Sequence, residues 1–458
     1  MSGSIDALGE WWLPGNDALK VPGRLVWNSD SGGTLQLLGH LRPDQWSEQL
    51  LPDGTTQFVR ARRADKSDLN YPYIHGQVSQ KRFTLLDCFV TRRVESVGGE
   101  QTSENVHVNR LLESSEWFDA DDDLCFDRMA IQIRHLTSWI GRSGITTEYP
   151  DIEGSGNEFS VLRAGKLQPL EIARTADSLS FVQVLEVEGD GLHERVTKQR
   201  WDLEISSFEV QPASEFIDVA SDIQDLISIA AGKTADLEWT KFEHPKAPMR
   251  ALSGVKIQTL RDEVIYRAMW SAKSEDLEPV KTTERYFSFD DFDGAAGVDR
   301  WLNVAQEYRT EIGRVMATRY SQSMYLEDKI MNICAALDSF DKVRRQTGGS
   351  DVYFVDRIAE SVSFSSGLIP GLLPEDTNQW AKEVKNMRHD LAHHRDRFRS
   401  GATGVSHILV EQLYWLFITC ILRLADAPQT TFDAISRHKN IRWLTGEVLQ
   451  GSEDDFSS

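Results

Sequence analysis

The sequence predicts an α+β multidomain fold: a β-rich N-terminal region followed by an all-α helical bundle. Three observations carry this. A chain of 458 residues is longer than one ordinary hydrophobic core supports, so two or three domains are expected. Up to about residue 290, short alternating or apolar runs are separated by Gly, Asp, Ser and Pro clusters, the pattern of strands and turns. From Val298 to about Leu449 the apolar residues recur at helical spacing instead.

Taken in order, the strand candidates are GRLVW (23–27), TLQLLG (34–39), RFTLLDCFV (82–90), FSVL (159–162) and SLSFVQVLEVE (178–188). The large aromatics in this region read as core. A short helix is expected at SEFIDVASDIQDLISIAAGK, where Phe216, Val219, Ile223 and Ile227 share one face. Strands resume at LEWTKF and GVKIQTL. The acidic, glycine-containing SFDDFDGAAG (288–297) marks the boundary, with a subdivision near 215 inside the 1–290 region. Beyond it, helices are expected over 301–318, 323–345, 351–364, 374–398 and 405–425, broken by GGS, GLIPGLLPED and SGATG. They make a helical domain spanning 298–449. The acidic tail 450–458 reads as disordered.

Bulk properties narrow the function. The N-terminus lacks a basic segment followed by an apolar run, and the most apolar stretch, LYWLFITCIL (413–422), is about half of what spans a bilayer. No membrane partner is expected. The cysteines Cys88, Cys125, Cys334 and Cys420 are scattered without a CxxC pair, which argues against a disulfide framework and for a cytoplasmic home. The formal charge of −21 is unevenly spread: residues 301–458 carry 18 Lys and Arg against 21 Asp and Glu, the first 300 carry 32 against 50. Acidity thus belongs mainly to the N-terminal part, and phosphate remains an admissible partner for the C-terminal part.

One stretch concentrates chemistry. MRHDLAHH (387–394) holds an arginine, three histidines and an aspartate. On a helix beginning near Asp376, Trp380, Val384, Met387, Leu391 and Phe398 form a core stripe, and His394 lies beside it as a structural histidine. His389 and His393 fall together on the opposite face with Lys382, and Arg388 lies on the flank. Three readings compete. In a metal site, His389 and His393 have the i,i+4 spacing of a zinc helix, with Asp390 in place of the general-base glutamate and Glu411 as a third ligand. In metal-independent RNA cleavage, the ribose 2′-hydroxyl attacks its own phosphodiester. Histidine then serves as acid or base, and arginine holds the non-bridging oxygens. Two copies related by a two-fold axis would supply both histidines. In the third reading the face is simply solvated. Lys385 and the basic residues Arg395, Arg397 and Arg399 could hold a few phosphates.

Arg388-His389-Asp390-Leu391-Ala392-His393 resembles the R-x(4–6)-H signature of HEPN domains, and YLEDKIMNICAALDSFDKVRR resembles the early helix of that fold. There Asp338 would hold the motif arginine. The opening WWLPGNDALKVPGRLVWNSDSGGTLQLLGHL and the segment YIHGQVSQKRFTLLDCFV are similar to the ApeA-type N-terminal domain. Together these likenesses cover nearly the whole chain. They imply an anti-phage defence protein with a β-rich sensor at residues 1–290, where a phage-derived trigger protein would bind, and a HEPN ribonuclease at 298–449. They further imply a homodimer or higher assembly acting on cellular RNA, tRNA among the candidates, without a cofactor. Arg388 and His393 would be catalytic, His389 and Asp390 helpers, and Asp338, Lys385 and His394 supporting residues. Some HEPN domains bind nucleotides or partners without cleavage, which is the alternative.

Overall fold

The structure, a computed structural model, describes residues 4–28, 31–42, 46–50, 52, 54–60, 69–94, 102–119, 124–148, 161–174, 177–250, 256–268, 278–321, 323–347, 352–393 and 403–446. It contains two compact units. The first comprises Met1–Ile131, Ile205–Phe216 and Glu238–Trp270; the second comprises Gln132–Glu204, Ile217–Leu237 and Ser271–Ser458. The sequence boundary near residue 290 thus falls inside the second unit. The acidic tail lies outside the described residues.

In the first unit, β1 (Ile5–Trp12), β2 (Val21–Asn28) and β3 (Gly32–Leu37) form an antiparallel meander. A separate ribbon of β4 (Trp46–Leu50) and β5 (Thr56–Arg60) follows, then β6 (Asn70–Val78), β7 (Lys81–Val94) and β8 (Ser103–Ser114). The order β8-β3-β2-β1-β6-β7 closes because β7 pairs back onto β8, giving a six-stranded antiparallel barrel. Strict alternation on β2 drives the closure: Leu25 and Trp27 point inward, Arg24 and Val26 outward. Gly76 on β6 lies against the Trp11 ring, where a Cβ would come within 2.2 Å of a ring carbon. The buried carboxylate of Glu104 accepts from the Tyr71 hydroxyl at 3.0 Å and the Leu41 N–H at 3.2 Å, and pairs with Arg93.

The remaining strands are β9 (Cys125–Ile133), β10 (Ile145–Glu148), β11 (Val161–Ala164), β12 (Leu170–Ile172), β13 (Asp177–Glu188), β14 (Val196–Pro212), β15 (Leu237–Arg250) and β16 (Lys256–Ala268). The β15–β16 hairpin extends the sheet at the end of β8 that β3 leaves uncovered, through pairs such as Ile265 with Glu113. In the second unit, α1 (Leu136–Ile140) buries Trp139 edge-on against Phe181 of β13 and against Phe289. The expected short helix is the 19-residue α2 (Ala213–Ala231); Val219 is only half-buried, whereas Phe216, Ile223, Leu226 and Ile227 are buried.

The helical part comprises α3 (Gly294–Glu307), α4 (Arg309–Tyr320), α5 (Leu326–Arg345), α6 (Phe354–Ser365), α7 (Thr377–Ala392), α8 (Thr403–Leu424), α9 (Gln429–Arg437) and α10 (Lys439–Leu444). The single helix expected over 301–318 is broken at Tyr308, whose ring is buried against Phe340 with centroids 5.5 Å apart. Beyond the break, Arg309 reaches Asp218 and Asp222 of α2, both at 2.7 Å. The helix expected to run to 398 ends at Ala392, so Met387 and Leu391 lie half-buried in its last turns, and Ala381 joins Trp380 and Val384 in the core. Phe398 of the expected stripe lies outside the described residues. The apolar run of α8 is longer than the sequence suggested: His407–Leu424 is long and apolar enough to cross a bilayer, yet 67% of it is buried inside the protein, as a core helix is.

A cluster of buried charge joins α5 and α6. On α5 the apolar stripe Ile330, Ile333, Leu337 and Phe340 continues into Asp341, which has no solvent exposure. Its carboxylate meets Arg344 at 3.0 Å, Arg345 at 2.5 Å and Arg357 of α6 at 3.4 Å. Arg357, 1% exposed, also reaches Asp338 at 3.2 Å and donates to the Thr347 hydroxyl at 3.1 Å. Removing one member of such a cluster leaves buried charge uncompensated. Asp341→Ala is therefore expected to cost about 3–5 kcal/mol, read as a fall in the urea midpoint of the helical part; a loss under about 1 kcal/mol, the range of surface pairs, would contradict this.

A half-buried acid, Asp225, sets a pH dependence. Burial pushes the Asp225 carboxyl up to about 7, against the hydrogen bond donated by the Tyr320 hydroxyl, which pulls it down. An acid held above its unfolded value, near 4, binds more protons folded than unfolded across that interval, so stability falls as pH rises through it. Native protein should lose melting temperature from about pH 4 to about pH 7, and Asp225→Asn should flatten that slope; an unchanged slope would assign it to other groups.

Candidate functional site

The Arg388 segment reaches its position through α7. Asp376 caps the helix by accepting from the Gln379 N–H at 2.9 Å. Ala381 and Val384 are buried, and the Trp380 indole donates to Gln412 of α8 at 3.1 Å. One edge of α7 is then left with Lys385, Arg388, His389 and Ala392, neighbours at helical spacing. Together with Met331 of α5 and Tyr353–Asp356 at the start of α6, they line a cavity of about 580 Å³, within the usual range of ligand sites.

Arg388 is half-buried, its guanidinium carbon 4.3 Å from the centroid of the Phe354 ring, a cation–π contact. Among the described residues it makes no ion pair, so its planar donor fork is uncommitted. Its charge is also felt by Cys334 of α5: burial pushes that thiol up to about 12, and Arg388 acts in the opposite sense. The Tyr353 ring is 77% exposed at the mouth of the cavity.

His389 and His393 come together as their spacing implies, ring centroids 4.4 Å apart. Both are exposed. His393 follows the last helical residue, its N–H donating to the His389 carbonyl at 3.1 Å. His389 lines the cavity; His393 adjoins it through His389. Asp390 is half-buried, and His394 lies outside the described residues, as do Arg395, Arg397 and Arg399.

Two expected partners are elsewhere. Asp338 does not hold Arg388; its carboxylate is taken by Arg357 and by Lys342, the latter at 2.6 Å. The i,i+4 lysine on its own helix and the buried arginine of α6 are nearer than the last turns of α7. Glu411 does not complete a metal set with His389 and His393: Arg319 grips both of its oxygens at 2.8 and 2.7 Å, and it lines a different cavity. Among the described residues, no group of three or more His, Cys, Asp or Glu side chains is placed to hold a metal ion. Sequence reasoning missed Tyr353, Phe354 and Met331, which reach the site only through tertiary packing; an adjacent Tyr-Phe pair at the start of a helix was the sole local signal.

Chemically, one chain gathers a free guanidinium, an ammonium and two adjacent imidazoles beside apolar and aromatic walls. That set can bind a phosphodiester and move a proton.

The family model described as ApeA N-terminal domain 1 matches residues 6–301. No curated protein and no solved structure matches the chain.

Phe354→Leu keeps most of the apolar volume while removing the ring face. It is expected to cost about 0.5–1 kcal/mol and to loosen Arg388, seen as faster side-chain Nε–Hε relaxation by NMR. An equally ordered guanidinium in the variant would show that the ring does not hold it.

Proposed function

The chain belongs to the ApeA N-terminal domain 1 family, membership that points to anti-phage defence, and from this premise we propose that its helical part is a metal-independent HEPN endoribonuclease acting on cellular RNA, tRNA among the candidates. The family match ends at residue 301, so the ribonuclease reading rests on the Arg388–His393 motif and its surroundings. The observation that carries it is the convergence of Lys385, Arg388 and His389 on one cavity, with the His393 ring 4.4 Å from that of His389.

In this reading the scissile phosphate lies against Arg388, whose free N–H groups donate to the non-bridging oxygens as negative charge builds on them. His393 accepts the proton of the ribose 2′-hydroxyl as that oxygen bonds to phosphorus. The P–O5′ bond breaks, and the departing 5′-oxygen takes a proton from a second imidazole in its protonated form. The products are a 2′,3′-cyclic phosphate and a 5′-hydroxyl. Lys385 adds positive charge, and His389 packs against His393 and orients it. In-line displacement puts the attacking and leaving oxygens on opposite sides of phosphorus, so a second copy of the chain supplies the second His393 in a homodimer or larger assembly. The acidic N-terminal region serves as the sensor, with a phage-derived protein as its trigger.

The test is labelled RNA incubated with purified full-length protein in excess EDTA, with and without phage-infected cell extract as the source of trigger. Cleavage should survive chelation and fall at least about 10³-fold in Arg388→Ala and in His393→Ala, magnitudes typical of lost charge stabilisation and proton transfer. Cleavage lost on chelation would overturn the metal-independent mechanism. RNA bound but never cut would favour the alternative, a HEPN domain that binds without cleaving.

A further inference from the structure

The helical part holds a second cavity, of about 620 Å³, that shares no lining residue with the Arg388 cavity. Its walls come from the end of α2, the end of α4, the first turn of α5, the first half of α8, and α10. Glu411 is the sole carboxylate among the lining residues, against the cations Lys233, Arg319 and Lys329. That carboxylate is already spent: Arg319 holds both of its oxygens and lies flat on the Tyr414 ring, 3.7 Å from the centroid.

Lys329 is left over. It is partly buried, and among the described residues its ammonium has neither an ion pair nor a side-chain hydrogen bond. Burial pulls its pKa below the ordinary lysine value, Arg319 adds to the effect, and the Glu411 carboxylate opposes it. A partly buried ammonium without an ion pair carries a desolvation cost that an anion entering the cavity relieves.

Much of the rest of the lining is aromatic. Tyr286, Tyr414 and Trp415 are buried, and Trp443 stands at the rim, 47% exposed, while its neighbour Ile441 anchors α10 in the core. The His407 ring flanks the indole with centroids 6.5 Å apart. A large indole left half in solvent on the lining of a cavity that also holds an ammonium without an ion pair suits a ligand that is planar at one end and anionic at the other.

We propose that this cavity binds a mononucleotide, its phosphate against Lys329 with the Arg319 charge behind it, and its base stacked on Trp443. The site is separate from the Arg388 cavity and stands whether or not that cavity cleaves RNA. The enclosed volume favours a single nucleotide over a strand.

Calorimetry on the full-length chain tests this with AMP and ATP as probes, and adenosine, inorganic phosphate and an oligoribonucleotide as controls. AMP and ATP should bind. Lys329→Met and Trp443→Ala should each weaken AMP about tenfold or more, typical of a lost charge-assisted contact and a lost stacking platform. Lys329→Arg should stay within about threefold of native, and Arg388→Ala should bind AMP as native does. Unchanged melting curves would show that the variants fold. The proposal is overturned if neither nucleotide binds at roughly 1 mM, or if both weakening variants bind like the native chain. It fails equally if Arg388→Ala is the variant that loses binding, if adenosine or phosphate alone binds as tightly as AMP, or if the oligonucleotide does so in Arg388→Ala, where the other cavity is disabled.

Discussion

A carboxylate with no access to water, Asp341, organises the helical part of this protein. An isolated charge in that position would be intolerable, so α5 and α6 are committed to the one arrangement that brings Arg344, Arg345 and Arg357 to it. Arg357 is the member that crosses between helices, and Asp338 one turn back holds it a second time. Fixing Arg357 fixes the start of α6 one turn earlier, and with it Tyr353 and Phe354. Phe354 is the surface on which the Arg388 guanidinium rests. The buried charge and the site arginine are thus linked through one helix end, although no hydrogen bond joins them.

The barrel of the first unit solves a different problem. Its strands are specified by alternation and by close contacts such as Gly76 over Trp11, and β7 closes onto β8, leaving only the end of β8 that β16 covers. It also buries an acid, but Glu104 has neutral donors from Tyr71 and Leu41 as well as Arg93. That carboxylate is thereby held without leaving its charge uncompensated. The helical part, nearly balanced in charge, leaves cations uncommitted instead: Arg388 in one cavity and Lys329 in another.

Much of this was legible in the sequence, for local reasons. Period-2 runs such as GRLVW and SLSFVQVLEVE became β2 and β13, and the i,i+4 relation of His389 and His393 follows from helix geometry alone. What was not legible depended on partners distant along the chain. Asp338 looked available to Arg388 because nothing local shows that Arg357 will be buried beside it. Glu411 looked available to a metal because Arg319 lies 92 residues away. The break at Tyr308 carries no proline or glycine; burial of its ring against Phe340 decides it. The interleaving of the two compact units is a long-range property that no window of sequence contains.

The placement of His393 has a consequence for how such a site works. A residue just beyond the end of α7 is tied by one backbone hydrogen bond and by the ring of His389, whereas Arg388 is anchored within the helix and against Phe354. Arg388 is then held firmly, and His393 sits on the less constrained side. Transition-state stabilisation demands fixed dipoles, whereas proton transfer demands reach and a matching acceptor. An arrangement in which the arginine is built in and the histidine is completed by a second copy would leave the lone chain with a bound phosphate and no route for the second proton, so that assembly itself would govern activity.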